Sequence, residues 1–104
     1  MHGILFRSTD SIEMYDKVNA EMQKRMGEDN PLVAECLVHM CRQTEEGFTV
    51  LEVWSSEAKA QEYWDDYLSK AIEATGYDQE RIGEQAEHFE PHAFEVHERK
   101  TQDA

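Results

Sequence analysis

The chain has 104 residues, of which 39% are hydrophobic and 32% are charged, and its formal net charge at pH 7 is −13. This length is typical of a single domain, here residues 1–104. The excess of carboxylates repels nucleic-acid phosphates and anionic membranes, so we expect neither as a partner. The sequence shows no apolar stretch long enough to cross a bilayer and no signal-peptide pattern, which predicts a cytoplasmic protein.

A strand and a helix are predicted first. Residues 2–7 are largely apolar and precede a polar break. Asp10 and Glu13 have the spacing of a capping box, so a helix is predicted to begin there and to end at Gly27. Its apolar residues recur at intervals of three and four, as expected for a buried stripe: Ile12, Tyr15, Val18, Met22 and Met26.

A β-hairpin is predicted next, from residues 32–42 and 48–54 with a polar turn between them. Cys36 and Cys41 lie in the first of these strands, an odd number of residues apart. Side chains alternate along a strand, so we expect the two thiols on opposite faces, and both reduced.

A second helix, capped by Ser55 or Ser56 and ended by Gly76, is predicted after the hairpin. Residues 77–85 are consistent with either a short helix or a loop. Residues 89–99 predict a last strand, and the tail 100–104 is expected to fray. The buried stripe of the second helix is predicted to contain Ala60, Tyr63, Trp64, Tyr67, Leu68, Ala71 and Ile72.

The predicted order is strand, helix, strand, strand, helix, strand. This is the ferredoxin-like βαββαβ arrangement, an α+β fold with an antiparallel four-stranded sheet and two helices on one face. Alternate residues on the other face are also apolar. A second copy of the chain could cover that face, which predicts a homodimer.

The segment 37–68, LVHMCRQTEEGFTVLEVWSSEAKAQEYWDDYL, resembles the central part of small bacterial proteins in the dimeric α+β barrel superfamily, of the antibiotic-biosynthesis-monooxygenase type. The resemblance is carried by His39 on a strand, Gly47 and Phe48 after a turn, and an acidic-Val-Trp strand end at residues 52–54. Segments 15–19 and 94–97 are also similar, so the resemblance covers most of the chain.

This resemblance implies a ligand pocket between the helices and the sheet. Members of the superfamily with an assigned activity include cofactor-free oxygenases of aromatic polyketides, haem-degrading oxygenases, isomerases and quinol oxygenases. The haem-degrading members use an Asn on the first strand and a His on the second helix. This chain has neither, although Trp64 matches their tryptophan. We therefore expect no haem and no other cofactor.

His39 and Glu52 are the candidate catalytic pair. If the turn spans residues 43–46, His39 faces Val50, and Glu52 is its diagonal neighbour on the same side of the hairpin. A carboxylate beside an imidazole raises the imidazole pKa and orients the ring, which suits proton transfer. A turn one residue longer or shorter would separate the two residues. The alternative is that they form a satisfied structural pair, or that one of them lines a dimer interface.

Four aromatic residues, Tyr15, Trp54, Trp64 and Tyr67, are the candidate substrate-binding walls, because small-molecule pockets are lined by aromatic groups with a few polar ones. The alternative is plain core packing. His92 and His97 are five apart in the predicted last strand, which would point them to opposite faces. Together with the lack of metal-binding motifs, this predicts no metal site.

The residues and the resemblance together predict a small cofactor-independent monooxygenase-like enzyme. It would act on an aromatic or quinone-type small molecule, with His39 taking a phenolic proton. The alternative is a non-catalytic ligand-binding or stress-response barrel, and a third is a dimer with a filled pocket. An open cavity between the helices and the sheet would separate the first two hypotheses from the third.

Overall fold

A computed structural model describes residues 1–97 as an α+β protein with a four-stranded antiparallel sheet. The strands are β1 (His2–Ser8), β2 (Cys36–Gln43), β3 (Phe48–Trp54) and β4 (Ala86–Phe89), in the order β2-β3-β1-β4. The α+β class and the antiparallel sheet predicted from the sequence are confirmed, and the arrangement is compatible with a ferredoxin-like fold.

Three helical stretches accompany the sheet. The first is α1 (Ile12–Met26). The second is continuous and consists of α2 (Glu57–Tyr63), a π-helical turn (Trp64–Leu68) and α3 (Ser69–Ala74). The third is α4 (Gln79–Gln85), which settles the ambiguous segment as a short helix. Among the described residues, the helices are too short or too polar to span a membrane.

The start of α2 is as predicted, but the start of α1 is not. The Ser56 hydroxyl accepts a hydrogen bond from the Lys59 amide at 3.2 Å, which satisfies one free donor of the first turn. The predicted capping box at Asp10 is wrong, because Ser11 is the N-cap and its side chain makes no capping bond. The Asp10 carboxylate instead accepts a hydrogen bond from Arg81 at 3.0 Å, which ties the start of α1 to α4.

The predicted start of the second strand is also wrong. Residues Pro31–Glu35 form a 3₁₀ helix, and β2 begins only at Cys36. Asn30 caps this turn by accepting a hydrogen bond from the Leu32 amide at 2.9 Å, and Pro31 occupies its first position. Leu32 is buried against Trp54, so the apolar residue that suggested a strand is held by a helical turn.

The last strand lies earlier than predicted. β4 spans Ala86–Phe89 and pairs with β1, whereas residues 90–97 have no regular secondary structure. Phe89, expected to begin the strand, ends it over Gly3, where a Cβ atom would lie 2.3 Å from the phenyl ring. The close contact with Gly3 therefore fixes where β4 pairs. Residues 98 and 99 of the predicted strand lie outside the described part of the chain.

A bulge in β2 corrects the prediction for the two cysteines. The register shifts between Cys36 and Val38, so one extra residue faces β3 at this point. Cys36 is paired with Trp54 and Cys41 with Val50, and both thiols pack against the helix-covered cores rather than on opposite faces. Both are free and half-buried, and burial raises the pKa of Cys36 to about 11.

Two groups of buried residues connect the helices to one face of the sheet. The larger group joins Phe48 on the sheet to Val18 and Met22 of α1 and Ile72 of α3. The smaller group contains Leu32, Trp54 and Ala60. The predicted stripes of both long helices are confirmed, since their members are buried or partly buried in these two groups. The opposite sheet face carries exposed apolar side chains, and the helices do not cover it.

Candidate functional site

A cavity of about 660 Å³ lies between the helices and the sheet. Its volume is in the range of small-molecule sites. The sheet contributes side chains from every strand, and α1, α4 and the long second helix contribute the rest. Most of the lining is apolar or aromatic, including Phe6, Phe48, Tyr63, Trp64 and Ile82. The sequence could not establish such a cavity, because it depends on how far the helices stand from the sheet.

His39 and Glu52 meet at one wall of this cavity. The turn of the hairpin lies one residue later than predicted, so His39 pairs directly with Glu52 instead of diagonally. The predicted and observed registers differ by two positions, which preserves the shared face. The distance from His39 Nδ1 to Glu52 Oε2 is 2.8 Å. The Glu52 side chain is 9% exposed and that of His39 39%, so the carboxylate is buried behind a reachable imidazole.

Tyr15 completes a hydrogen-bonded series with this pair. Its hydroxyl lies 2.6 Å from Nε2 of His39, on the side of the ring opposite Glu52. The tyrosine comes from α1 and the other two residues from the sheet, so only the tertiary fold joins them. The three side chains all line the cavity. When His39 is neutral and Nδ1 carries its proton toward Glu52, Nε2 accepts the tyrosine hydrogen.

Burial and charge shift the pKa values of two members of this series. The hydrogen bond that His39 donates to the Glu52 carboxylate raises the pKa of His39, against the opposing effect of burial. Burial raises the pKa of Tyr15, and the nearby Cys41 and Glu52 add to the effect. Tyr15 therefore stays a phenol, which donates to His39 when the imidazole is neutral, and the imidazole is a stronger base than an isolated histidine.

Trp54 and Tyr67 occupy different positions from those expected of substrate-binding walls, as neither is among the described residues that line the cavity. Trp54 is 1% exposed, and its ring centroid lies 4.6 Å from that of Tyr63. Its indole nitrogen donates to Glu52 Oε1 at 3.4 Å. Tyr67 accepts a hydrogen bond from the Asn30 amide at 2.8 Å. Trp54 thus supports the Glu52 carboxylate, whereas Tyr67 is tied to Asn30, the cap of the 3₁₀ turn.

Trp64 does line the cavity, from the first position of the π-helical turn. Its ring packs against Gly83 of α4, where a Cβ atom would lie 3.1 Å from the indole. A glycine at this point lets α4 approach the tryptophan closely. A π-helical turn changes the direction in which successive side chains project, and such turns often occur at functional sites.

Sequence reasoning missed a second polar pair in the cavity, formed by His2 and His88. Nε2 of His2 and Nδ1 of His88 are 2.8 Å apart. His2 shares a strand face with Ile4 and Phe6, and this alternation was visible in the sequence. His88 was assigned to the segment before the last strand, so its pairing beside β1 could not be deduced.

Within the described residues, no group of three or more His, Cys, Asp or Glu side chains is arranged to hold a metal ion. His92 is exposed and lies outside the regular secondary structure.

Comparison of the chain with protein-family models, with curated proteins and with solved structures gives no match.

Proposed function

We propose that the chain is a small enzyme that binds a weakly acidic aromatic molecule in this cavity and removes a proton from it. The observation that carries the proposal is the series Tyr15–His39–Glu52 at the wall of an aromatic-lined cavity of about 660 Å³. Ordinary core packing does not require a buried carboxylate, an imidazole and a phenol that are hydrogen-bonded one to the next beside an empty volume.

The proton route follows from the direction of the hydrogen bonds. Tyr15 uses its one hydrogen to donate to His39, so its oxygen is free to accept a hydrogen bond from the ligand. As the ligand hydroxyl gives its proton to Tyr15, the tyrosine proton passes to Nε2 of His39. Glu52 stabilises the imidazolium that forms, as a carboxylate does for a catalytic histidine elsewhere.

The aromatic lining favours a flat ligand whose anion is delocalised. Phe6, Phe48 and Trp64 supply flat surfaces around the cavity, and aromatic contacts prefer offset or edge-on stacking. A ligand held in this way loses its proton without leaving a localised charge in an apolar site, which would be costly.

Oxygenation by molecular oxygen is the further step that we propose for such an anion. In a methylene flanked by aromatic rings, the carbanion formed by proton loss adds O₂ to give a peroxide. Loss of the second proton and cleavage of the O–O bond leave a ketone and one molecule of water. The overall reaction is R₂CH₂ + O₂ → R₂C=O + H₂O, so the oxidant is O₂ and the chain supplies only base and binding surface.

Anthrone tests this proposal, because its enol tautomer is a weakly acidic aromatic alcohol and its oxidation to anthraquinone is followed by absorbance. We expect the wild-type protein to bind anthrone and to accelerate its oxidation above the buffer rate. His39→Gln keeps a hydrogen-bonding side chain but cannot take a proton, so the rate should fall by roughly 10²- to 10⁴-fold while binding persists.

His92→Gln is the matched control, since it makes the same substitution at an exposed histidine outside the cavity lining. It should leave rate and binding unchanged. Binding of anthrone without any acceleration by the wild type would favour the alternative, a non-catalytic ligand-binding protein. Failure of anthrone to bind would contradict the proposed use of the cavity.

We also propose that two copies form a homodimer through the open sheet face, as in a dimeric α+β barrel. Leu5, Leu51 and Met40 lie side by side in one row of that face, and Met40 is 53% exposed. A row of this kind is self-complementary across a two-fold axis. Sedimentation equilibrium should give a dimer for the wild type and a smaller dimer fraction for Leu51→Glu. A monomeric wild type would contradict it.

A further inference from the structure

A second hydrogen-bonding pair lies across the cavity from His39. His2 and His88 are joined by a 2.8 Å contact between ring nitrogens, and their ring centroids are 5.0 Å apart. Both side chains line the same cavity as the Tyr15–His39–Glu52 series. The proton route described above does not use them.

The strand registers show how the two polar ends are related. His39 pairs with Glu52, Glu52 with Ile4, and Ile4 with His88, so the four residues form one row across the full width of the sheet. All four line the cavity. His39 and His88 are therefore three strand spacings apart, which is roughly 14 Å. Their side chains stand on the same face, since they belong to one row.

This separation sets the length of a ligand that reaches both ends. A hydrogen bond occupies about 2.8 Å at each end. With two hydrogen bonds subtracted, this backbone separation gives the scale of the ligand: its two polar atoms would be on the order of 9 Å apart, one at the Tyr15 hydroxyl beside His39 and the other at the histidine pair. A pair of fused aromatic rings with oxygens at opposite ends has dimensions of this order.

Proton counting shows what the histidine pair can offer. The contact joins Nε2 of His2 to Nδ1 of His88, so one hydrogen lies between them. In the neutral pair, the ring that accepts this hydrogen must carry its own proton on its outer nitrogen. The pair thus always has at least one further N–H donor, and it has two when it gains a proton.

The negative charge around the cavity restricts which ligand group can accept a hydrogen bond from the histidine pair. Glu57, Glu80 and Glu84 also line the cavity, and the chain carries a formal charge of −13. A carboxylate or phosphate on the ligand would be repelled by these groups. A neutral oxygen, such as a carbonyl or a second hydroxyl, accepts a hydrogen bond without that penalty.

We propose that His2 and His88 form a second ligand subsite, which donates a hydrogen bond to a neutral oxygen at the far end of the aromatic molecule bound by Tyr15 and His39. This inference rests on the proposed function, because it assumes that an aromatic alcohol occupies the cavity. It adds that the ligand has two oxygens at opposite ends, with no anionic group between them.

Calorimetric titration with three related probes under anaerobic conditions tests the subsite. The probes are 2-naphthol, with one oxygen, 2,6-dihydroxynaphthalene, with oxygens at opposite ends, and 2,3-dihydroxynaphthalene, with both at one end. We expect the wild type to bind the 2,6-diol about 2- to 10-fold more tightly than 2-naphthol, as one added hydrogen bond allows. The 2,3-diol should show no comparable gain.

His88→Phe keeps a flat ring but removes the nitrogens. In this variant the preference for the 2,6-diol over 2-naphthol should fall to about one, because the ratio cancels general effects on stability or ring packing. His92→Phe makes the same change outside the cavity lining and should retain the wild-type preference.

The outcomes separate the two proposals. If 2-naphthol binds but His88→Phe keeps the wild-type preference, the subsite is overturned and the proposed function stands. An equal gain for the 2,3-diol would also overturn it, because the distance between the ends would then be irrelevant. If no probe binds the wild type, both the subsite and the proposed function are contradicted.

Discussion

The surroundings of Trp54 and those of Trp64 show how one side-chain type serves two different regions. Trp54 ends β3 in the smaller core, where it is 1% exposed and packs against Tyr63. Trp64 lies on the adjacent helix but faces the cavity, and its ring packs against Gly83 of α4. The first region is filled, and the second keeps an open volume beside its aromatic ring.

The difference lies in what opposes each ring. Leu32 and Ala60 close the space around Trp54, and the smaller core contacts it on several sides. The cavity that Trp64 lines also receives the polar pair His39 and Glu52 from the sheet, among apolar groups such as Phe48. Polar side chains that hold one another in place leave room that apolar side chains would fill. The filled region therefore supports stability, and the open region is available to a ligand.

Replacement of each tryptophan by alanine should give the largest test of this contrast between the filled and the open region. Trp54→Ala removes a fully buried ring and should lower the free energy of unfolding by about 3–5 kcal/mol. Trp64→Ala should cost less, because its ring already borders an empty volume, but it should weaken anthrone binding more. Urea unfolding of both variants measures the first effect. A larger loss of stability for Trp64→Ala would contradict the contrast between the two regions.

Glu52→Gln should have the next largest effect. The amide can still accept from His39 but carries no charge, so the free energy of unfolding should fall by about 1–3 kcal/mol. The pKa of His39 should fall, because the hydrogen bond that the imidazole donates to the carboxylate is the main cause that raises it. An NMR titration of the His39 ring protons measures this shift.

Glu57→Gln is the matched control for that titration, because Glu57 lines the same cavity but is not a hydrogen-bond partner of His39. Equal shifts in the two variants would mean that the general negative charge of the cavity, rather than the contact with Glu52, controls the imidazole.

Gly83→Ala tests whether the cavity wall at Trp64 affects ligand binding more than stability. Alanine favours the helix by about 1 kcal/mol, but its Cβ would lie 3.1 Å from the Trp64 ring. We expect stability to change by no more than about 1 kcal/mol and anthrone affinity to fall, since the ring must move toward the cavity. Ala74→Gly, at an exposed position at the end of α3, reverses the substitution away from the cavity and should leave affinity unchanged.

The pH dependence of stability should show the smallest effect. Folding raises the pKa of His39, so its contribution is fully present below its ordinary value of 6.5 and is lost as the pH rises through the higher folded value. The side chain is 39% exposed, which limits the contribution to less than about 1 kcal/mol. As the pH rises above 6.5, the stability of the wild type, measured by thermal unfolding, should therefore fall slightly more than that of His39→Gln. Identical pH profiles would show that the contact adds nothing to stability.

Local patterns in the sequence were sufficient for most helices and strands. The apolar spacing predicted both long helices, and the β-branched run 48–54 predicted β3 with the bounds that the structure shows. Glycines mark the ends of α1 and α3, where Gly27 and Gly76 adopt positive φ angles of 72° and 89°. These features depend on neighbours within a few residues, so the chain itself contains the information.

The sequence predicted that His39 and Glu52 share a face if the turn has the parity of a four-residue turn, and the observed register has that parity. The tertiary structure decided what the alternation could not. The bulge in β2 placed both cysteines on the helix side, and the contact of Phe89 with Gly3 set the position of β4. The distance between helices and sheet left the cavity open and brought Tyr15 and His88 to its walls. Those outcomes depend on contacts between residues far apart in the chain, which no local pattern records.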